Sequence, residues 1–314
     1  MFDILSVFIV VVGLVVFEVV NSIDNAIVNA HILKTMSQWA RRWFLIWGLI
    51  TAVFLIRGVL PFLILWLTHP DVSFIQAWHI VFSGDINLSK EHFEETSFIL
   101  LLGGGMFLLL LYFHWLFLEK KNPFFPIDKL IEPRNYGVWF FAVAALLLVL
   151  VLYFARENPI AMLSAAVGNA GFFILYGFRE TAEKEEQKML SGQSTKSDIS
   201  KLLFLEVLDA SFSIDSVVGA FAFTTSIPLI LLGNGIGALV VRELTIKSID
   251  KVAKYRWLKN GAMTSIGFLG GFMILEGFGV HIPEWLPTLT TIGLVGVAFY
   301  YSRKLIKKQG NHLV

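Results

Sequence analysis

The sequence predicts an all-α polytopic membrane protein of about nine transmembrane helices built as inverted repeats. Three observations carry this: long apolar runs, basic residues confined to alternate connections, and an acidic motif that occurs twice. Of 314 residues, 56% are hydrophobic and 16% charged, and mean hydropathy is +0.71. Soluble domains carry roughly 25% charged residues. Runs such as Phe98–Leu118 and 138–154 reach the roughly 20 residues needed to cross the hydrocarbon core. The spans fall at about 4–33, 43–67, 97–118, 137–155, 159–178, 202–224, 227–245, 262–280 and 286–303. Met1-Phe2-Asp3 lacks the basic n-region of a signal peptide, so the first apolar segment is expected to be a retained helix.

Lys and Arg set the orientation. All of them except Lys90, Arg156 and Arg57 fall in connections on one side, which predicts an N-outside, C-inside topology. The chain then reads as one transmembrane domain, 1–314. A first repeat region covers 1–118, linking helices and a cytoplasmic loop cover 119–201, and a second repeat region covers 202–303. The connection 68–96 is acidic (Asp71, Asp85, Glu91, Glu94, Glu95) and reads as a solvated loop. The connection 180–200 is rich in Glu, Lys and Ser and is expected to be mobile.

The first and sixth spans are interrupted by polar residues. Ser22-Ile23-Asp24-Asn25 superimposes on Ser213-Ile214-Asp215-Ser216, and Glu18 then falls on Asp209 without a gap. Glu206 adds a fifth carboxylate to the pair of motifs. A charged side chain at the bilayer centre costs roughly 2.5–3.5 kcal/mol on insertion scales, so a repeated set points to function. The two spans run in opposite directions, as the motif helices of inverted-repeat transporters do around a midplane site.

On an ideal helix Glu18, Asn21, Ser22 and Asn25 share one face, as do Glu206, Asp209, Ser213 and Ser216. Asp24 and Asp215 lie six residues beyond Glu18 and Asp209 and point about 120° away. Either each helix is distorted at that aspartate, or each motif supplies ligands in two directions. The expectation is a distortion in both helices. Crowded carboxylates favour a cation, and Asp, Glu, Asn and Ser oxygens suit Mn²⁺, Ca²⁺ or Mg²⁺. The candidate metal ligands are therefore Glu18, Asn21, Asp24, Asn25, Glu206, Asp209, Ser213, Asp215 and Ser216. His31, seven residues after Asp24, offers a nitrogen that would tilt the choice toward manganese or act as a relay. Arg57, within the second span, needs a counter-ion and is a candidate gate. The alternative is that the motifs only staple helices together through buried hydrogen bonds. Gly103-Gly104-Gly105 sits mid-span, where close helix packing explains it. Cysteine is absent, which removes disulfides and thiolate ligands. No nucleophile–base arrangement or phosphate loop is present, so neither an enzyme, an organic cofactor nor a nucleic-acid partner is expected.

These residues resemble the motifs of the TerC family of integral membrane proteins. Glu18, Ser22, Asp24 and Asn25 match its first motif, with Asn21 in place of Leu. Glu206, Asp209, Phe212, Asp215, Ser216 and Ala220 match the second, with Val218-Gly219 in place of Ile-Pro. The resemblance implies the LysE-type transporter superfamily, inverted helical repeats and a link to metal-ion homeostasis, notably manganese export. The expected protein is a multi-pass bacterial inner-membrane exporter of a divalent cation, manganese first, with protons as the coupling partner. The competing expectations are a LysE-type exporter of a small organic cation or amino acid, with a pocket lined by Phe172, Phe173, Phe212 and Phe221, and an intramembrane metal-dependent enzyme or scaffold.

Overall fold

A computed structural model describes residues 4–48, 51, 57–68, 73–82, 97–131, 137–191, 197–247 and 254–310. Every regular element among them is helical. The apolar start forms α1 (Ile4–Asn21), and α2 (Ile23–Lys34) follows after the single residue Ser22. Ser37 accepts the Ala40 amide to cap α3 (Gln38–Trp43), which runs into a π-helical turn, Phe44–Gly48. Next come α4 (Arg57–Thr68), α5 (Phe74–Phe82) and the 22-residue apolar α6 (Ser97–Leu118). A short α7 (Pro126–Leu130) opens on proline, and α8 (Gly137–Phe154) is apolar throughout.

Asn158 caps α9 (Pro159–Leu190) by accepting the Ile160 and Ala161 amides, with proline in the first turn where its missing N–H is harmless. Ser197 caps α10 (Asp198–Ala220). The chain ends in α11 (Ile227–Lys247), α12 (Leu258–Gly277) and α13 (Trp285–Gly310).

Five of these helices are long and apolar enough to cross a membrane: α1, α6, α8, α9 and α11. α10 has the length but carries Glu206, Asp209 and Asp215 along its apolar stretch and is not in that set.

The polar connection expected at 180–200 is mostly helix, because α9 continues unbroken to Leu190. Ion pairs one turn apart, Glu180–Lys184 at 3.1 Å and Glu185–Lys188 at 2.7 Å, support its exposed end. Residues 192–196 of that connection lie outside the described residues. So do Asp71, Asp85, Glu91, Glu94 and Glu95 of the acidic connection, and residues 52–56 of the second span.

α6 packs between α9 and α12, with α8 outside them, and α1 packs between α11 and α13. α10 threads the space between and reaches α1, α2, α3, α4, α6, α9, α11 and α12. The glycine triplet sets the spacing around α6. A Cβ on Gly103 would come within 2.9 Å of the Ser164 carbonyl of α9, and one on Gly105 within 2.9 Å of the Gly270 carbonyl of α12. Backbones at such distances leave no room for a side chain.

At one polar end the first turn of α10 is tied to α3. Hydrogen bonds from the Ser37 hydroxyl and then its amide, the latter at 3.2 Å, hold the exposed Asp198 carboxyl below the ordinary carboxylate range.

Two outcomes are expected. Gly105→Val should lower stability by about 1–3 kcal/mol through overpacking, whereas Gly171→Ala, with open space around it, should be neutral or stabilising in thermal melts of the detergent-solubilised protein. Asp198 has a depressed folded-state pKa, so its stabilising effect is present above the ordinary carboxylate pKa and is lost as pH falls through the lower folded value. Melts of Asp198→Asn across acid pH should therefore show a flatter acid limb than the parent.

Candidate functional site

The two acidic motifs meet side by side. The Asn21 amide donates to Ser216 Oγ at 3.1 Å, and the Asn25 amide donates to Asp209 Oδ1. Moving forward from 21 to 25 on one segment moves backward from 216 to 209 on the other, so the motif segments cross in antiparallel register. Close approach of α11 fixes α1 here. A Cβ on Gly237 would sit 2.6 Å from the Glu18 side chain, and one on Gly233 would strike Leu14.

The six-residue offset between the carboxylates is resolved differently in the two halves. In the first, Ser22 interrupts the helix with φ −89° and ψ −2°, yet the Ser22 amide still reaches Glu18 O at 3.0 Å and the Ala26 amide reaches Ser22 O at 2.9 Å. The Ser22 hydroxyl makes no cap; it donates to Glu18 Oε1 at 2.7 Å. In the second, the expected distortion is absent, because α10 is regular from Asp198 to Ala220. Its Ser213 hydroxyl donates back to Asp209 O at 2.9 Å, a bond that an unbroken helix accommodates.

The carboxylates consequently face two ways. Glu18 and Asp209, at equivalent motif positions, line a small cavity of about 70 Å³ together with Ser22, Asn25, Asn29, Gly48, Arg57 and Arg242. Glu18 is fully buried and accepts Arg57 Nη2 at 2.6 Å. Glu206 lies one turn before Asp209, its Oε1 against Gly48. Glu18 Oε2, Asn25 Oδ1, Asn29 Oδ1 and both Glu206 oxygens are buried and have no hydrogen-bond partner among the described residues. Such oxygens are costly unless something meets them.

Asp24 and Asp215, also equivalent, face the other side. Asp24 Oδ2 pairs with Lys259 Nζ of α12 at 2.8 Å, and that ammonium also holds Glu119 Oε2 at 2.7 Å. Asp215 Oδ2 pairs with Arg179 Nη1 of α9 at 2.8 Å. The Arg179 guanidinium also lies 4.5 Å over the Phe212 ring and donates to Ser211 O.

Asp24, Lys259, Glu119 and Arg179 line a larger cavity of about 460 Å³. Phe107, Phe172, Tyr176, Phe212 and His114 form its aromatic wall, and Glu183 and Glu186 lie toward the exposed end of α9. Of the aromatic residues expected around an organic substrate, Phe172 and Phe212 line this cavity. Phe173 stacks on Phe141 instead, and Phe221 lines a separate cavity near His281.

The nine candidate ligands therefore occupy one crossing but do not converge on one point. Among the described residues no three His, Asp or Glu side chains are gathered closely enough to hold a metal. His31 lies on an exposed face with Nδ1 2.8 Å from Ile27 O, and it lines neither cavity.

Sequence reasoning missed Arg179 and Lys259, which it counted among connection charges, and Asn29; it did not place Gly237 against Glu18. The signals were there: Asn29 follows Asn25 by one turn, and Gly233 and Gly237 share the four-residue spacing of a close helix contact.

Apolar helices around buried charge pairs define an all-helical membrane protein. Residues 23–309 match the model of the family described as "Protein of unknown function (DUF475)", and the chain belongs to that family. It is also similar to the uncharacterized membrane protein YceF of Bacillus subtilis (strain 168), 28% identical over 83 residues. That stretch is 26% of this chain and 32% of the relative, so the chain matches about a third of the relative's length. No solved structure matches it.

Removing one partner of a buried pair leaves an uncompensated charge, worth about 3–5 kcal/mol. Arg57→Met is expected to destabilise by that order in denaturant unfolding from mixed micelles, and Glu18→Gln added to it should recover most of the loss.

Proposed function

We propose that this protein is a secondary transporter that exports a divalent cation, manganese first and Ca²⁺ or Mg²⁺ as alternatives, by alternating access and in exchange for protons. The reading includes nine spans with the N-terminus outside and the C-terminus inside a bacterial cell membrane. The observation that carries it is the set of buried, unpartnered oxygens of Glu18, Asn25, Asn29 and Glu206 at the crossing of two antiparallel acidic motifs.

Oxygen donors of this kind suit hard divalent ions. The TerC likeness of the motif residues points the same way. In the present arrangement Arg57, Lys259 and Arg179 hold three of the five carboxylates. These cations balance carboxylates that a substrate cation would otherwise have to balance, and a buried carboxylate left isolated would protonate. Ligand convergence would then belong to another state of the transport cycle.

The test is uptake of Mn²⁺ into vesicles containing the purified protein. Parent protein should move Mn²⁺ in a proton-gradient-dependent way, and Glu206→Gln, Asp24→Asn and Asp215→Asn should each reduce the rate at least about ten-fold, the effect of losing one charged ligand worth 1.4 kcal/mol or more. Normal transport by all three variants would rule the reading out.

A second reading has its own observation. The 460 Å³ cavity falls in the size range of small-molecule sites, and its Phe212 face already carries a guanidinium. A small organic cation would fit that chemistry. Calorimetric titration of Mn²⁺ against tetramethylammonium and basic amino acids separates the two readings.

A further inference from the structure

The equivalent aspartates of the two motifs share a feature that the motif sequence does not contain. Each is held at 2.8 Å by a basic side chain from a helix outside the motif pair, Asp24 by Lys259 of α12 and Asp215 by Arg179 of α9. Both basic residues line the same 460 Å³ cavity. The two pairs differ in access. The Lys259 and Asp24 side chains are 41% and 46% exposed, whereas Arg179 and Asp215 are 14% and 5% exposed. Lys259 is moreover shared between two carboxylates, Asp24 and Glu119, so its departure would leave Asp24 open to the cavity and Glu119 with the His114 ring, 3.7 Å away.

We propose that Lys259 is a tethered stand-in cation. It occupies the Asp24–Glu119 pair between turnovers and yields it to a cation that enters through the 460 Å³ cavity. Arg179 is its counterpart at Asp215, sealed in the state described here. The inference rests on the cation-transport reading and names the residue that a substrate must displace.

The chemistry is competitive. An ammonium on a four-carbon stem is mobile and singly charged. A divalent ion offers twice the charge to the same two carboxylates, so it can replace the lysine without leaving either carboxylate unpaired, while the half-exposed ammonium moves into water. Release of the ion lets Lys259 return, which resets the Asp24–Glu119 pair and leaves proton exchange to the other carboxylates of the site. Antiparallel motifs around a midplane crossing suit this exchange, because the exposed pair and the sealed pair can trade roles when the carrier changes state.

The experiment is Mn²⁺ binding to the full chain in lipid nanodiscs. Lys259→Gln should bind Mn²⁺ about ten-fold or more tightly than the parent, the size expected for removing one competing unit charge about 4 Å away in a partly wet site. Lys259→Arg, which keeps the charge, should not. Adding Asp24→Asn to Lys259→Gln should abolish the gain. An unchanged affinity in Lys259→Gln, or a gain that survives Asp24→Asn, overturns the proposal.

A measurement on the unmutated chain guards against variants that fail to fold. Acylation of Lys259 by an amine-reactive reagent, followed by peptide mass spectrometry with exposed Lys308 as internal reference, should accelerate at least two-fold as Mn²⁺ is titrated. No acceleration at any Mn²⁺ concentration overturns the proposal as well. Transport by Glu206→Gln, which lies outside this pair, reports on the functional reading separately: normal export by that variant with a retained Lys259 response removes the Glu206 site and leaves the exchange intact.

Discussion

A carboxylate surrounded by hydrocarbon has no water to solvate it, so it must find a cation, a set of donors or a proton. The helix arrangement here answers that demand for Glu18, Asp209 and Asp215, and also pairs the half-exposed Asp24. Glu18 draws Arg57 inward from α4, Asp215 draws Arg179 from α9, and Asp24 draws Lys259 from α12. Asp209 takes Asn25 across the motif crossing. Three helices, α4, α9 and α12, are thereby tied to α10 or to its motif partner. Glu206 stands apart, with neither oxygen bonded among the described residues. The ligand role proposed for it would supply the missing partner.

The division of the motif into two faces follows from helix geometry. Positions six apart cannot address the same space on a regular helix, and the two halves of the chain accept that constraint. The result is a pair of compartments separated by the thickness of the motif helices. One is small, with amide and carboxylate oxygens, and the other is larger, with aromatic walls and a charged mouth. Asn21–Ser216 and Asn25–Asp209 form the partition between them. Serine serves this partition twice without capping a helix. Ser22 spends its hydroxyl on Glu18, and Ser213 spends its own on the carbonyl of Asp209.

What could be read from the sequence was whatever depends on neighbours along the chain. Apolar length gave α1, α6, α8, α9 and α11, and the glycine triplet marked a close helix contact on α6, though not its partners α9 and α12. The reversed direction of the motifs came from the placement of basic residues, and the Asn21 and Asn25 bonds run in that sense. Partner choice was not readable, because it depends on which helices lie beside which. Arg179 and Lys259 sit just past apolar stretches, where a basic residue ordinarily marks a membrane boundary, and nothing local distinguishes a boundary charge from one that folds back onto an aspartate. The continuation of α9 was hidden for a related reason. A stretch rich in Glu and Lys reads as solvated coil, but the same residues at four-residue spacing brace a helix.

The length of α9 has a mechanical consequence. Its 32 residues form a single rod of about 48 Å, and Arg179 sits on it with roughly a third of that length between it and Leu190; along that stretch Glu180, Glu183 and Glu186 still line the cavity. A rigid lever of that kind couples deep and shallow positions directly. A shift of α9 that parted Arg179 from Asp215 would carry with it the surface end bearing Lys184 and Lys188, and would strain the packing of buried Met189 against Leu202 and Leu205. A change at a buried ion pair would then register as a displacement in water, where a probe or another molecule could sense it without entering the bilayer.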